Sequence, residues 1–195
     1  MNGLKGYLKK DPGLFWNILY ALFHLVLSFY YRSYWYLSLG AWYLLLGALK
    51  LYVLLQKDVK KQQKICGIGI LGMAVILAGI VAVGIRERQN PFRELPVMVA
   101  MAAFTFTLLG VAVARAVKAR RSRNAEQYIR RDIALVSAVG SLLSLERGML
   151  GSFGDPNGSF ALQMEAGSGF GAFLLIVLIG IFTLKRRYDT TETVQ

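Results

Sequence analysis

Five long apolar runs constrain this chain more than any other feature. They are LFWNILYALFHLVLSFYY (14–31), YWYLSLGAWYLLLGALKLYVLLQ (34–56), ICGIGILGMAVILAGIVAVGI (65–85), LPVMVAMAAFTFTLLGVAVA (95–114) and GSGFGAFLLIVLIGIFTL (167–184), divided by short charged stretches. Each is long enough, at a rise of about 1.5 Å per residue, to cross a hydrocarbon layer of roughly 30 Å. Backbone polar groups find no water in that layer, so a spanning segment of this kind bonds to itself as a helix. The sequence therefore predicts an all-α polytopic membrane protein, with 1–195 as a single membrane domain.

A sixth stretch is ambiguous. RRDIALVSAVGSLLSLERGML (130–150) has only thirteen uncharged residues between Asp132 and Glu146, where a span needs about twenty. Charge settles the question, because cytoplasmic connections accumulate Lys and Arg. With six spans and both termini inside, seventeen of the 23 basic residues fall on the cytoplasmic side and five outside, with Lys50 within the second run. Without the crossing at 130–150, Lys185, Arg186 and Arg187 would be translocated outward. The expected helices are 13–31, 34–56, 65–85, 95–114, 130–150 and 167–184, arranged as three successive hairpins, with a basic cytoplasmic loop at 115–131.

The same logic explains the net charge of +12. In a soluble protein it would suggest nucleic acid; here it follows topology, and no nucleic-acid partner is expected. The basic loop would also attract anionic lipid head groups. MNGLKGYLKKDPG resembles the flank of a signal sequence, but the run after it ends without a small-residue cleavage site, so an uncleaved first helix is expected. FYYRSYWY (29–36) has the aromatic density of a membrane interface. NPFRELP (90–96) and the Asp155-Pro156-Asn157-Gly158 stretch read as outside turns. The single Cys66 allows no internal disulfide, and no metal site or cofactor is expected.

Several helices carry polar faces. Asn17, Tyr20, His24, Ser28 and Tyr31 recur at spacings of three and four, which places them on one side of the first helix. His24 is either a titrating group in a proton or cation path or a neutral imidazole bonded to a neighbouring hydroxyl. Ser137, Ser141, Ser144 and Gly148 make a similar strip on the fifth helix. That strip is either a packing surface or the wall of a polar pathway whose outer mouth holds Glu146. Lys50 either snorkels to the inner surface or meets an anionic solute. On the third helix Gly72 and Gly79, with Ala74 and Ala78, are expected to let helices approach closely, as are Gly167 and Gly171 on the sixth.

SYWYLSLGAWYLLLGALKL with ALVSAVGSLLSLERGMLGSFG resembles bacterial six-helix integral membrane proteins, a likeness that implies a bacterial inner membrane location but no activity. The three-hairpin plan is similar to that of small acid-stress membrane proteins, a fold-level analogy. No nucleophile elbow, P-loop, zinc signature or carboxylate pair is present, so an enzyme is not expected. Two functions remain. One is transport of a small solute, proton or cation, in an assembly larger than a monomer. The other is an accessory or stress-related role through helix packing and lipid or partner contacts.

Overall fold

The computed structural model describes residues 11–87, 95–122, 124–153 and 158–186. Over these the chain is all-helical: α1 (Pro12–Tyr31), α2 (Tyr34–Leu55), α3 (Val59–Arg86), α4 (Leu95–Ser122), α5 (Ala125–Phe153) and α6 (Ser159–Lys185). All six are long and apolar enough to cross a membrane, the questioned 130–150 segment included. The protein is a multi-pass membrane protein.

The helices outrun their apolar cores. α3 begins at Val59 instead of 65, α4 continues to Ser122 instead of 114, and α6 begins at Ser159 instead of 167. The stretch 115–131, expected as a loop, is therefore mostly helix on either side of Asn124. Hydropathy marks where lipid tails lie, whereas a helix ends where its caps are. Lys, Arg, Gln, Ala and Glu sustain a helix in water. Asp58 fixes the start of α3 by accepting the Lys60 amide at 3.0 Å, and Asp11 does the same for α1 through the Gly13 amide at 2.9 Å. Pro12 takes the first helical position, where its missing N–H costs nothing. The basic segment 1–10, the expected turn residues 90–94 and 155–157, and Arg88, Arg123 and Arg187 lie outside the described residues.

Contacts at the two ends show that successive helices alternate in direction. Arg115 meets Asp11, Gln63 meets the end of α6, and Arg186 meets Asp132, all at one end. Glu87, Trp35, Arg147 and Glu165 meet at the other. Asp11 and Arg186 thus lie at the same end of the bundle.

The pairing differs from three sequential hairpins. α1 packs along α2 and α4 along α5, while the main partner of α3 is α6. α3 and α4, expected as a hairpin, share no extended contact among the described residues. α5 sits at the centre: 61% of its spanning window is buried, against 22–44% for the other five. That difference follows from its serines, which would be poorly placed against lipid all round.

Close packing uses other glycines than expected. A Cβ at Gly72, Gly79, Gly167 or Gly171 would meet open space, and Ala78 is exposed, although Ala74 is buried. α3 instead turns Ile70, Met73, Ala74, Leu77 and Ile80 inward, which leaves the Gly72–Gly79 line on its outer side. The intimate contacts are Gly140 against the Trp42 ring, Gly169 against Val81 and Gly67 against Leu184. Trp42 also donates its indole N–H to the Met73 carbonyl at 3.1 Å, locking α2 to α3. Gly140→Ala should therefore cost about 1–3 kcal/mol by overpacking, seen as a lower unfolding temperature in detergent. Gly72→Ala and Gly79→Ala, with open space for the new methyl, should not lower that temperature and should raise it slightly, Gly being less favourable than Ala inside a helix by about 0.5–1 kcal/mol.

Candidate functional site

The polar face of α1 meets the serine strip of α5. Asn17 donates from Nδ2 to Ser137 Oγ at 3.0 Å, and two turns away His24 Nε2 lies 2.9 Å from Ser144 Oγ. His24 Nδ1 is 2.9 Å from the Tyr20 carbonyl of its own helix. A carbonyl only accepts, so in the neutral ring Nδ1 carries the hydrogen and Nε2 accepts from the Ser144 hydroxyl. The imidazole is fully enclosed, with 0% exposure. The rings of Tyr20, Tyr43, Phe23 and Tyr36 surround it, Tyr20 edge-on at a centroid distance of 4.3 Å.

The hydroxyls along the seam are mostly tied to backbone. Ser137 donates to the Ile133 carbonyl at 3.2 Å, Ser141 to Ala138 at 2.8 Å, and Thr105 of α4 to Ser141 at 3.1 Å. Two groups retain capacity. Asn17 Oδ1 is buried with no hydrogen-bond partner. The Tyr20 hydroxyl lies against those of Ser144 and Thr105 without completing a well-aligned bond to either. Ser28 continues the face as a buried residue, and its carbonyl accepts the Ser33 amide at 3.3 Å.

Glu146 does not join this seam. It borders a cleft with Trp35, Val81, Arg147, Glu165 and Ser168, lined by α2, α3, α5 and α6. Ser144 and Glu146 are two positions apart, about 200° around a helix, so they face opposite ways. The residue at the end of the seam beyond His24 is Arg147. It pairs with Glu165, donates to the Glu87 carbonyl at 2.8 Å, stacks over Trp35 at 4.4 Å and lies in electrostatic reach of Tyr36. The Glu87 carboxylate in turn accepts the Tyr34 and Trp35 amides at 3.2 and 2.9 Å, supplying α2 with the cap its own Ser33 does not form.

The opposite end has two buried knots. Asp132, 2% exposed, accepts from Arg131 Nε at 2.8 Å and from Thr183 at 2.9 Å, with Arg186 at 3.7 Å. Asp11 pairs with Arg115 at 2.8 Å. Beside it Lys50 is buried and donates to the Gly13 carbonyl at 3.2 Å. Lys50 therefore neither snorkels to the surface nor waits for an anion; it is bonded inside the protein. Among the described residues no group of three His, Cys, Asp or Glu is placed to hold a metal ion.

Polar groups thus run through the bundle from Asp11 and Lys50, past Asn17, Ser137, Tyr20, Ser144 and His24, to Tyr36 and Arg147. No family model, curated protein or solved structure matches the chain. Its chemistry is read from these residues alone.

Stability should divide between the seam and its ends. Ser144→Ala removes one intramembrane hydrogen bond and should cost about 0.6 kcal/mol, at most about 1.7. Arg147→Met leaves the part-buried Glu165 without its charge partner and should cost about 1–3 kcal/mol. Unfolding in mixed micelles checks both, and adding Glu165→Gln to Arg147→Met should recover part of the loss.

Proposed function

We propose that this membrane protein passes protons or a small cation along the seam between α1 and α5, in a bacterial inner membrane with both termini in the cytoplasm. The observation that carries the proposal is His24, enclosed at mid-bundle and bonded to Ser144, in a line of buried polar groups that reaches both ends. Ionisable side chains inside a membrane protein are costly and mark ion or proton paths. Because Nδ1 is held by the Tyr20 carbonyl, Nε2 is the nitrogen that takes up and returns a proton. Its exchange partners are the hydroxyls of Ser144 and Tyr20. Asn17, with its buried acceptor unspent, continues the line toward Lys50 and Asp11. The aromatic rings around His24 suit a carrier of protons better than a larger solute.

The excess of basic residues at the end that holds Asp11 and Arg186 supports the cytoplasmic assignment. A second reading rests on the same bonds. Ser137 and Ser141 donate back to carbonyls of their own helix and Thr105 donates across to the Ser141 carbonyl, as hydroxyls do when they serve packing alone. The protein would then be an accessory or stress-related membrane component.

Reconstitution separates the two. In liposomes holding a pH-sensitive dye, the wild-type protein should dissipate an imposed proton gradient, and His24→Ala should lower the rate by about 10² or more at equal protein content, the lower end of what a proton-transfer group contributes. Flux no greater than that of empty liposomes would leave the accessory reading standing. A C-terminal reporter active only in the cytoplasm should be active; an inactive reporter, with activity from a periplasm-specific reporter at the same position, would remove the proposed orientation.

A further inference from the structure

The arginines at the basic end fall into two groups. Arg115, Arg130, Arg131 and Arg186 are each spent on a carboxylate of the protein, namely Asp11, Glu126 or Asp132. Lys118, Arg120 and Arg121 are exposed and, among the described residues, form no ion pair. The second group lies on the last two turns of α4, beyond the level at which Arg115 meets Asp11.

Its position on the helix is informative. Val99, Phe106 and Val113 recur every seven residues on the outer side of α4 and are 58%, 67% and 62% exposed, so they face lipid tails in a membrane. The same line continues to Val117, 45% exposed, and then directly to Arg120 and Arg121. Arg120 and Arg121 come three and four residues past Val117, about 4.5–6 Å along the axis, and the head-group layer of one leaflet is about 5–7 Å deep. The stripe that meets acyl chains thus ends in guanidinium groups at the depth of the phosphates. Guanidinium matches phosphate geometry through paired N–H donors.

We infer that Lys118, Arg120 and Arg121 form a site for the phosphate of anionic phospholipids in the surrounding leaflet. Arg115, Arg130, Arg131 and Arg186 serve the fold instead. A cation at the membrane surface strengthens attraction to anionic lipid by roughly five-fold per side chain. The inference is independent of proton transfer, since no residue of the seam takes part.

The test uses the full-length protein in vesicles of zwitterionic phosphatidylcholine carrying a trace of spin-labelled phosphatidylglycerol or spin-labelled phosphatidylcholine. Electron paramagnetic resonance reads the fraction of each label immobilised at the protein. The wild type should select phosphatidylglycerol, and the K118Q/R120Q/R121Q variant should lose that selectivity by at least five-fold. Arg120→Gln alone, a single surface change, should lose part of it, while R120K/R121K should keep most. Inorganic phosphate should compete no better than chloride at equal ionic strength. Selectivity unchanged in the triple variant, or absent in the wild type, overturns the inference. Displacement by phosphate beyond the chloride control also overturns it, by assigning the cluster to a soluble anion.

Discussion

A serine, an aspartate or an arginine on a spanning helix cannot be left against hydrocarbon, and α5 carries all three. Everything else in the bundle is arranged so that this helix is enclosed. Asp132 near one end, Ser137, Ser141 and Ser144 through the middle, and Arg147 near the other end tie α5 to its neighbours. α6 receives Asp132 through Thr183, α1 receives Ser137 and Ser144 through Asn17 and His24, α4 reaches Ser141 through Thr105, and α2, α6 and the end of α3 receive Arg147. Because lipid tails are as apolar as leucine, burying apolar surface gives membrane helices little reason to associate. These polar bonds supply register and partner choice that apolar packing alone would leave loose.

The two ends are built differently. At the basic end carboxylates and basic side chains are matched in pairs, and Gln63 adds a cap by donating to the Thr183 carbonyl at 2.7 Å. At the other end one arginine joins four helices, its charge shared among Glu165, a backbone carbonyl and the face of Trp35. Substitutions at the first end should therefore act locally, whereas Arg147 couples α2, α3 and α6 through α5.

Much of this was legible before any coordinates. The six spans followed from run length and charge, and the spacings of Asn17, Tyr20 and His24 on one helix and Ser137, Ser141 and Ser144 on another defined the two faces that meet. Glu146, expected at the mouth of the serine strip, lines a cleft beside Arg147 near that end of the bundle. The importance of Arg147 was harder to see, because Glu165 lies in a segment too polar to read as part of a span. Of the helix pairing, the contacts of α1 with α2 and of α5 with α6 were legible, but those of α3 with α6 and α4 with α5 were not. Apolar outer faces look alike, and which glycine faces a neighbour depends on rotations of the helix that periodicity does not encode.

The pairing of α3 with α6 has a consequence for how the chain is made. Gln63 bonds to Thr183, 120 positions later, and between them the ribosome must deliver the whole of α4 and α5. Until α6 enters the bilayer, the side of α3 that it covers, with Gly67, Ile70, Leu71 and Val81, faces lipid or an insertase instead of its final neighbour. Closing so distant a contact is slow compared with forming a local hairpin. α6 is thus the helix that completes the pairing of α3, and a chain stalled before α6 emerges exposes α3 to quality control.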